Sequence, residues 1–193
     1  MKEADTVDKA LIIVDYTFDF IADDGRLTCG RPGQEIDAYI ATQIQTFADA
    51  NEAVVFAVDV HDEGDPFHPE TKLFPPHNIR GTAGRDLFGQ VGQVFAKLTA
   101  HGFPENVRYI DKTRYSAFAG TDLEIFLRSH AINEVHLVGV CTDICVLHTA
   151  VDAYNKGFHI VIHEAGVASF SELGHHWALG HFKDVIGADI IGK

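Results

Sequence analysis

The chain has 193 residues, 46% of them hydrophobic and 22% charged, which suits one continuous core, and we expect a single domain over residues 1–193. Its formal net charge of -13 disfavours nucleic acid and anionic membrane surfaces as partners, because both require clustered lysine and arginine. The opening segment lacks the apolar core of a secretion signal, and the longest early apolar run, ALIIV, is too short to span a bilayer. We therefore expect a cytoplasmic protein.

Short apolar runs alternate along the chain with segments of helical period. In chain order the predicted strands are KALIIVDY, AVVFAVDV, NVRYIDKT, EVHLVGV, FHIVIHEA and ADIIG. The predicted helices span residues 34–51, 121–131, 143–156 and 172–184, and the stretch GTAGRDLFGQVG is predicted to be a loop that leads into a helix. Strands buried on both faces that alternate with helices are typical of a doubly wound α/β fold with a parallel sheet.

The segment from His61 to about Thr82 breaks this alternation, since it carries glycines and prolines with little periodicity. Long loops in compact domains are usually functional. Asp59 and His61 lie two residues apart at an extended strand end, so their side chains point to the same side and suit zinc, manganese or iron. The spacing does not choose among the further candidate ligands, which are Asp62, Glu63, Asp65, His68, Glu70 and His77. The alternative is an acidic, histidine-bearing loop that binds no metal.

Other reactive side chains also follow strand ends. In open parallel sheets, ligands bind outside the carboxyl ends of the strands, where the winding direction reverses. Asp15 ends the first predicted strand, Lys112 the third, and Cys145 follows the fourth. Singly, Asp15 could cap a turn and Lys112 could be a solvated lysine. Their joint occurrence near a thiol favours a catalytic site at this edge of the sheet.

The sequence VGVCTDICVLHTAVDAY predicts a strand, a tight turn and a helix, with Thr142 as the helix N-cap and Asp143 in the first turn. Cys145 would then lie near the third helical position, with a free backbone N–H and a thiol pKa lowered by the helix dipole. The alternative is a small buried apolar residue. The three cysteines, Cys29, Cys141 and Cys145, match neither a disulfide framework nor a zinc motif.

Four motifs occur in order across nearly the whole chain: VDYTFDF, DVHDEG with FPPH, DKTRYSAF and VGVCTDICVLHTAVDAY. Together they resemble the cysteine hydrolases related to isochorismatase and, within that family, the bacterial nicotinamidases (pyrazinamidases). The resemblance implies a three-layer α/β/α fold with a six-stranded parallel sheet of order 3-2-1-4-5-6. It also implies the hydrolysis of nicotinamide, and of pyrazinamide, through a Cys145 thioester, a step in NAD salvage. Homo-oligomers are common in the family, so the resemblance also implies that this chain forms a homo-oligomer.

The resemblance also assigns roles to individual residues. It implies a catalytic triad of Asp15, Lys112 and Cys145, and an oxyanion hole of the Cys141 and Cys145 N–H groups, with a cis peptide bond before Cys141. One divalent transition metal, zinc or alternatively iron or manganese, would be bound by Asp59, His61, Glu70, His77 and water, with His68 as the alternative third ligand. The ring of the substrate would lie in a slot lined by Phe20, Phe74 and Tyr115.

Two other functions remain open at this stage. One is a metal-free relative that hydrolyses another small amide or the vinyl ether of isochorismate. The other is a non-catalytic protein that binds a metal or senses redox state, which the twelve histidines and the pair Cys141 and Cys145 would suit.

Overall fold

The computed structural model describes residues 9–192, in which six parallel strands form one sheet. The strands are β1 (Lys9–Val14), β2 (Ala53–Asp59), β3 (Val107–Lys112), β4 (Glu134–Val140), β5 (His159–Ala168) and β6 (Asp189–Ile191). Their order is β3-β2-β1-β4-β5-β6, which confirms the predicted fold class. The winding direction reverses between β1 and β4, so a crevice is expected at their carboxyl ends.

Helices connect the strands. They are α1 (Phe18–Ile21), α2 (Arg31–Glu35), α3 (Asp37–Asp49), α4 (Gly89–Leu98), α5 (Leu123–Ser129), α6 (Leu147–Asn155) and α7 (Glu172–Asp184). The helix predicted at 34–51 is divided at Ile36 into α2 and α3, and α2 begins earlier because Pro32 occupies its first turn. No helix in the described part of the chain is long and apolar enough to cross a membrane. Residues 1–8, part of the segment judged to lack a secretion signal, lie outside the described residues.

The core has two halves, one on each face of the sheet. Along β1, Ala10, Ile12 and Val14 pack with the apolar sides of α5, α6 and α7. Leu11 and Ile13 point to the opposite face, towards α3 and α4. Both faces of the central strand are therefore buried, which explains why its sequence is a continuous apolar run rather than an alternating one.

Gly139 allows β4 to pass very close to β1 near the reversal point. Its φ is 112°, and a Cβ atom built on it would lie 2.0 Å from the carbonyl oxygen of Val14. The pairing of β4 with β5 also shifts register between Leu137 and Gly139. The close approach brings the segment after β4 against the end of β1.

We expect Gly139→Ala to lower the free energy of unfolding by about 2–5 kcal/mol, because it adds both backbone strain and a steric overlap. Gly157→Ala is the matched control, since Gly157 also has a positive φ of 76° but has no atom within 4 Å of a built Cβ. Urea denaturation measures both losses. An equal loss in the two variants would show that the contact with Val14 is unimportant.

Two buried histidines, His136 on β4 and His163 on β5, lie in a hydrogen-bonded chain away from the strand ends discussed above. His136 Nδ1 is 2.8 Å from His163 Nε2, and His163 Nδ1 is 3.0 Å from the hydroxyl of Tyr39. Burial, with the charge of His136, lowers the pKa of His163 to about 4. In the unfolded chain the same group has its ordinary value of 6.5. Between these pH values the unfolded chain therefore binds a proton at His163 that the folded chain does not.

This difference predicts that stability falls as the pH drops from 7 to 5, with His163 contributing about 1.5–2 kcal/mol of the loss. His163→Gln should remove that contribution, so its stability should depend less steeply on pH than that of the parent. His101→Gln, at an exposed turn, is the control and should keep the parent's slope. Urea denaturation at both pH values tests this, and an unchanged slope for His163→Gln would contradict the assignment.

Candidate active site

A buried ion pair joins the ends of β1 and β3 across the end of β2. Asp15, directly after β1, has a φ of 53°, a conformation that aspartate tolerates better than most residues. Its Oδ1 accepts a 2.7 Å hydrogen bond from the Asp59 N–H, and its Oδ2 lies 2.7 Å from Lys112 Nζ. Lys112 is the register partner of Asp59 and lies 3.7 Å from Asp59 Oδ1. Asp15 and Lys112 are both fully buried. Because β1, β2 and β3 are neighbours in the sheet, the strand order brings these charges together.

Cys145 lies in a wide helical turn, Thr142–Val146, that follows β4 and precedes α6. The N–H groups of Ile144 and Val146 both donate to the Cys141 carbonyl, over 3.0 and 3.1 Å, and the second bond makes the turn π-helical. The predicted N-cap was wrong: Cys141 is the N-cap, and the Thr142 hydroxyl instead contacts His175 Nδ1 at 2.9 Å. The peptide bond between Val140 and Cys141 is cis, as the resemblance implied.

The buried thiol of Cys145 lies near Lys112 and Asp15, and both groups influence its pKa. Burial raises the pKa of Cys145 well above its ordinary value, although the cation of Lys112 opposes the shift. The expected lowering by a helix dipole is therefore wrong, because the thiol is enclosed and faces a carboxylate. Burial also raises the pKa of Asp15. The proton thus rests on sulfur, beside a carboxylate that is more basic than a free one.

Lys112 remains charged in this enclosure. Burial lowers its pKa, but nearby negative charge, above all that of the Asp15 carboxylate and also that of Asp59, outweighs this effect and raises it above the ordinary value. A permanent cation beside the sulfur would stabilise a thiolate formed during a reaction.

Four buried side chains converge next to the ion pair of Asp15 and Lys112. They are Asp59, His61, Glu70 and His77, and we call them the metal-ligand group. One ligand atom from each lies within 4.8 Å of all the others. His61 Nε2 is 2.5 Å from Asp59 Oδ2, while His77 Nε2 is 3.4 Å from the same oxygen and 3.7 Å from Glu70 Oε2. Asp59 Oδ1 and His77 Nε2 are buried without a hydrogen-bond partner among the described residues. Converging carboxylate and imidazole atoms that lack partners suit a divalent transition metal, so the group could hold one.

The structure distinguishes between Glu70 and His68, the two candidates for the third metal ligand. Glu70 lies in a 3₁₀ turn, Pro69–Lys72, that directs its carboxylate into the group. His68 uses both ring nitrogens elsewhere, since Nε2 is 2.9 Å from the Thr113 carbonyl and Nδ1 accepts a 3.3 Å hydrogen bond from the Glu70 N–H. The other loop candidates, Asp62, Glu63 and Asp65, lie outside the group, and the first two are exposed.

This chain is similar to known proteins over nearly its whole length. The isochorismatase domain matches residues 9–191. The chain belongs to the isochorismatase domain family. PncA of Bacillus subtilis, described as an isochorismatase family protein, is 60% identical over 182 residues, covering 94% of this chain and 98% of that protein.

Two solved structures are also similar to this chain. A nicotinamidase/pyrazinamidase PncA structure from Bacillus subtilis has a TM-score of 0.91 and 59% identity, covering 95% of this chain and 98% of that one. A pyrazinamidase of Pyrococcus horikoshii in complex with zinc has a TM-score of 0.82 and 27% identity, covering 96% and 99%.

In this isochorismatase-family chain, three aromatic side chains surround the same region. The ring centroids of Phe20 and Phe74 lie 5.2 and 6.3 Å from that of His77, both edge to face. Phe74 also lines a cavity of about 90 Å³ beside His77. Burial, followed by the charge of Glu70, raises the pKa of Tyr115 to about 12. Tyr115 packs against the half of the core that contains Cys145.

Sequence analysis missed the residues that fix the loop carrying His77. Asp19 Oδ2 accepts a 2.8 Å hydrogen bond from the Asn78 N–H, and the Thr17 hydroxyl donates to Asn78 Oδ1 over 2.9 Å. The Asn78 carbonyl in turn accepts from the His61 N–H over 3.1 Å. These contacts fasten the loop to the segment after β1. A signal was present in the motif VDYTFDF, which contains both Thr17 and Asp19.

We expect Lys112→Met to destabilise the protein by about 3–5 kcal/mol, because it leaves the buried Asp15 carboxylate without its cation. Adding Asp15→Asn removes the unpaired buried charge and should restore much of the lost stability, since asparagine also tolerates a positive φ. Urea denaturation of the parent, the single variants and the double variant measures the coupling. Strictly additive losses would show that the two charges do not interact.

Proposed function

We propose that this chain is a nicotinamidase, which hydrolyses nicotinamide to nicotinate and ammonia through a thioester on Cys145. The observation that carries the proposal is the burial of the Cys145 thiol near the buried ion pair of Asp15 and Lys112, both of which influence its pKa. A thiol, a base and a permanent cation are the parts that nucleophilic attack on an amide requires. The nicotinamidase/pyrazinamidase structure of PncA, at 59% identity, supports nicotinamide and pyrazinamide as the substrates.

In the first half of the reaction, Asp15 accepts the thiol proton while the sulfur attacks the carboxamide carbon. Lys112 stabilises the thiolate character that develops on sulfur. The N–H groups of Cys141 and Cys145 hold the oxyanion of the tetrahedral intermediate. Asp15 then returns the proton to the leaving nitrogen, and ammonia departs.

In the second half, Asp15 accepts a proton from a water molecule that attacks the thioester carbon. The same two N–H groups hold the second oxyanion. Collapse releases nicotinic acid and a thiolate, and Asp15 gives its proton back to Cys145. The released acid then loses its own proton to water and becomes nicotinate. The raised pKa of Asp15 suits it to exchanging a proton in both directions.

Phe20, Phe74 and Tyr115 would hold the flat ring of the substrate between the thiol and the metal-ligand group. An apolar pocket discriminates only weakly between a flat heteroaromatic amide and an isostere with a similar ring. Pyrazinamide should therefore be accepted alongside nicotinamide.

Asp59, His61, Glu70 and His77 would bind one divalent transition metal, for which zinc is our first choice and iron or manganese the alternatives. The pyrazinamidase in complex with zinc supports this choice. When bound, the metal would supply a Lewis acid that positions and polarises the heteroaromatic ring.

Ammonia release from a panel of amides tests the proposed function. We expect turnover of nicotinamide and pyrazinamide, slower turnover of benzamide, which lacks the ring nitrogen, and none of acetamide. Chelation should lower the rate, whereas a metal-free relative would keep full activity. Cys145→Ala should lower kcat by about 10⁴-fold or more, with Cys29→Ala as the control that keeps its activity. Turnover by Cys145→Ala would overturn the mechanism.

Metal retention tests the ligand set separately from activity. Glu70→Gln should weaken zinc binding by more than about tenfold, because even partners of metal ligands contribute that much. His68→Gln should weaken it less, since His68 bonds only to the backbone around the group. Glu63→Gln, in the exposed part of the same loop, is the control and should bind as the parent does. Competition with a chromogenic chelator gives each affinity. A larger loss in His68→Gln than in Glu70→Gln would make His68 the third ligand.

A further inference from the structure

Two thiols that the proposed mechanism does not use lie side by side. Cys29 and Cys141 are 112 residues apart in sequence, yet their sulfur atoms are 3.4 Å apart. Both are free and buried, with 7% and 2% of their surfaces exposed. The mechanism draws on the backbone N–H of Cys141 but on neither of these two sulfur atoms.

Each of these cysteines is directly connected to a part of the candidate active site. The Cys29 N–H donates a 2.7 Å hydrogen bond to the carbonyl of Phe20, a residue of the proposed ring slot. The Cys141 carbonyl accepts from Ile144 and Val146, on either side of the candidate nucleophile. A change in the separation of the two sulfur atoms would therefore act on the ring slot and on the turn that carries Cys145.

We propose that Cys29 and Cys141 form a reversible disulfide when the protein meets a hydroperoxide, and that this bond switches off the hydrolase. A disulfide requires the sulfur atoms to approach to about 2.05 Å. Cys29 lies in the irregular segment between α1 and α2 and precedes Gly30, whose φ is 62°. We expect Cys29 to make most of the movement, because Cys141 follows the central strand β4 directly.

The chemistry balances with hydrogen peroxide as the oxidant. Cys29, the more exposed of the two, loses its proton and attacks one peroxide oxygen. The O–O bond breaks, water leaves, and a sulfenic acid forms. The Cys141 sulfur then attacks the Cys29 sulfur, so that the S–S bond forms, the S–O bond breaks and a second water leaves. Overall the two thiols lose two electrons and two protons, and one peroxide becomes two waters. A dithiol reductant reverses the change.

The activity effect rests on the proposed function, but the disulfide itself can be detected without it. The full-length protein is treated with hydrogen peroxide, its remaining thiols are alkylated, and its peptides are mapped without reduction. We expect a peptide pair joined through Cys29 and Cys141. We also expect kcat to fall by about tenfold or more, since losing one oxyanion-hole donor costs ~10²–10³-fold, and to recover with dithiothreitol.

Cys29→Ala is the informative variant, because Cys29 has no role in the proposed chemistry. It should keep the untreated activity of the parent, form no cross-link and lose the component of inactivation that dithiothreitol reverses. Cys29→Ser serves the same purpose if the alanine variant does not fold. Equal reversible inactivation of variant and parent would assign the effect to Cys145 and overturn the proposal. Full alkylation of Cys29 and Cys141 after peroxide, or a cross-linked enzyme with unchanged kcat, would also overturn it.

Discussion

The buried ion pair between Asp15 and Lys112 is the interaction on which the rest of the site depends. Removing two charges from water costs several kcal/mol for each ion, so such a pair persists only where further hydrogen bonds satisfy it. Here the Asp59 N–H donates to Asp15, and Lys112 Nζ donates to the Arg114 carbonyl over 3.2 Å. The strand order β3-β2-β1 supplies all of these groups at one edge of the sheet. The thiol of Cys145 meets the pair because β4 lies against the other side of β1, where Gly139 permits the close approach.

Asp59 connects this pair to the metal-ligand group. Its backbone N–H bonds to Asp15, one carboxylate oxygen lies 3.7 Å from Lys112, and the other lies 2.5 Å from His61. The charge of Asp59 is among the influences that raise the pKa of Asp15, after burial and against the effect of Lys112. The basicity of Asp15 is therefore linked to the metal-ligand group through a single side chain. Asp19 and Thr17 fix Asn78, the residue after His77: Asp19 accepts a hydrogen bond from the Asn78 N–H, and the Thr17 hydroxyl donates to the Asn78 side-chain oxygen.

The fold and the edge that carries the site were predictable, because buried parallel strands are continuous apolar runs and their carboxyl ends meet. The residue that begins the helical turn containing Cys145 was not predictable. Threonine is a common N-cap residue, but the hydroxyl of Thr142 contacts His175 on α7, which is distant in the sequence. The predicted lowering of the thiol pKa was wrong because burial, which depends on residues distant in the sequence, raises that pKa. Residue spacing could not separate Glu70 from His68, because the loop that carries them has no periodicity. The resemblance to a family supplied that choice, and the backbone contacts of His68 agree with it.

In the proposed mechanism Cys145 carries the substrate as a thioester during turnover, and this intermediate can be trapped. The enzyme would be mixed with nicotinamide, quenched in acid during steady-state turnover and digested, and its peptides analysed by mass spectrometry. We expect the peptide containing Cys145 to gain the mass of one nicotinoyl group in place of a hydrogen, and hydroxylamine to remove that group. Continued release of ammonia and nicotinate with an unmodified Cys145 peptide, in an enzyme whose Cys145→Ala variant also turns over, would contradict it.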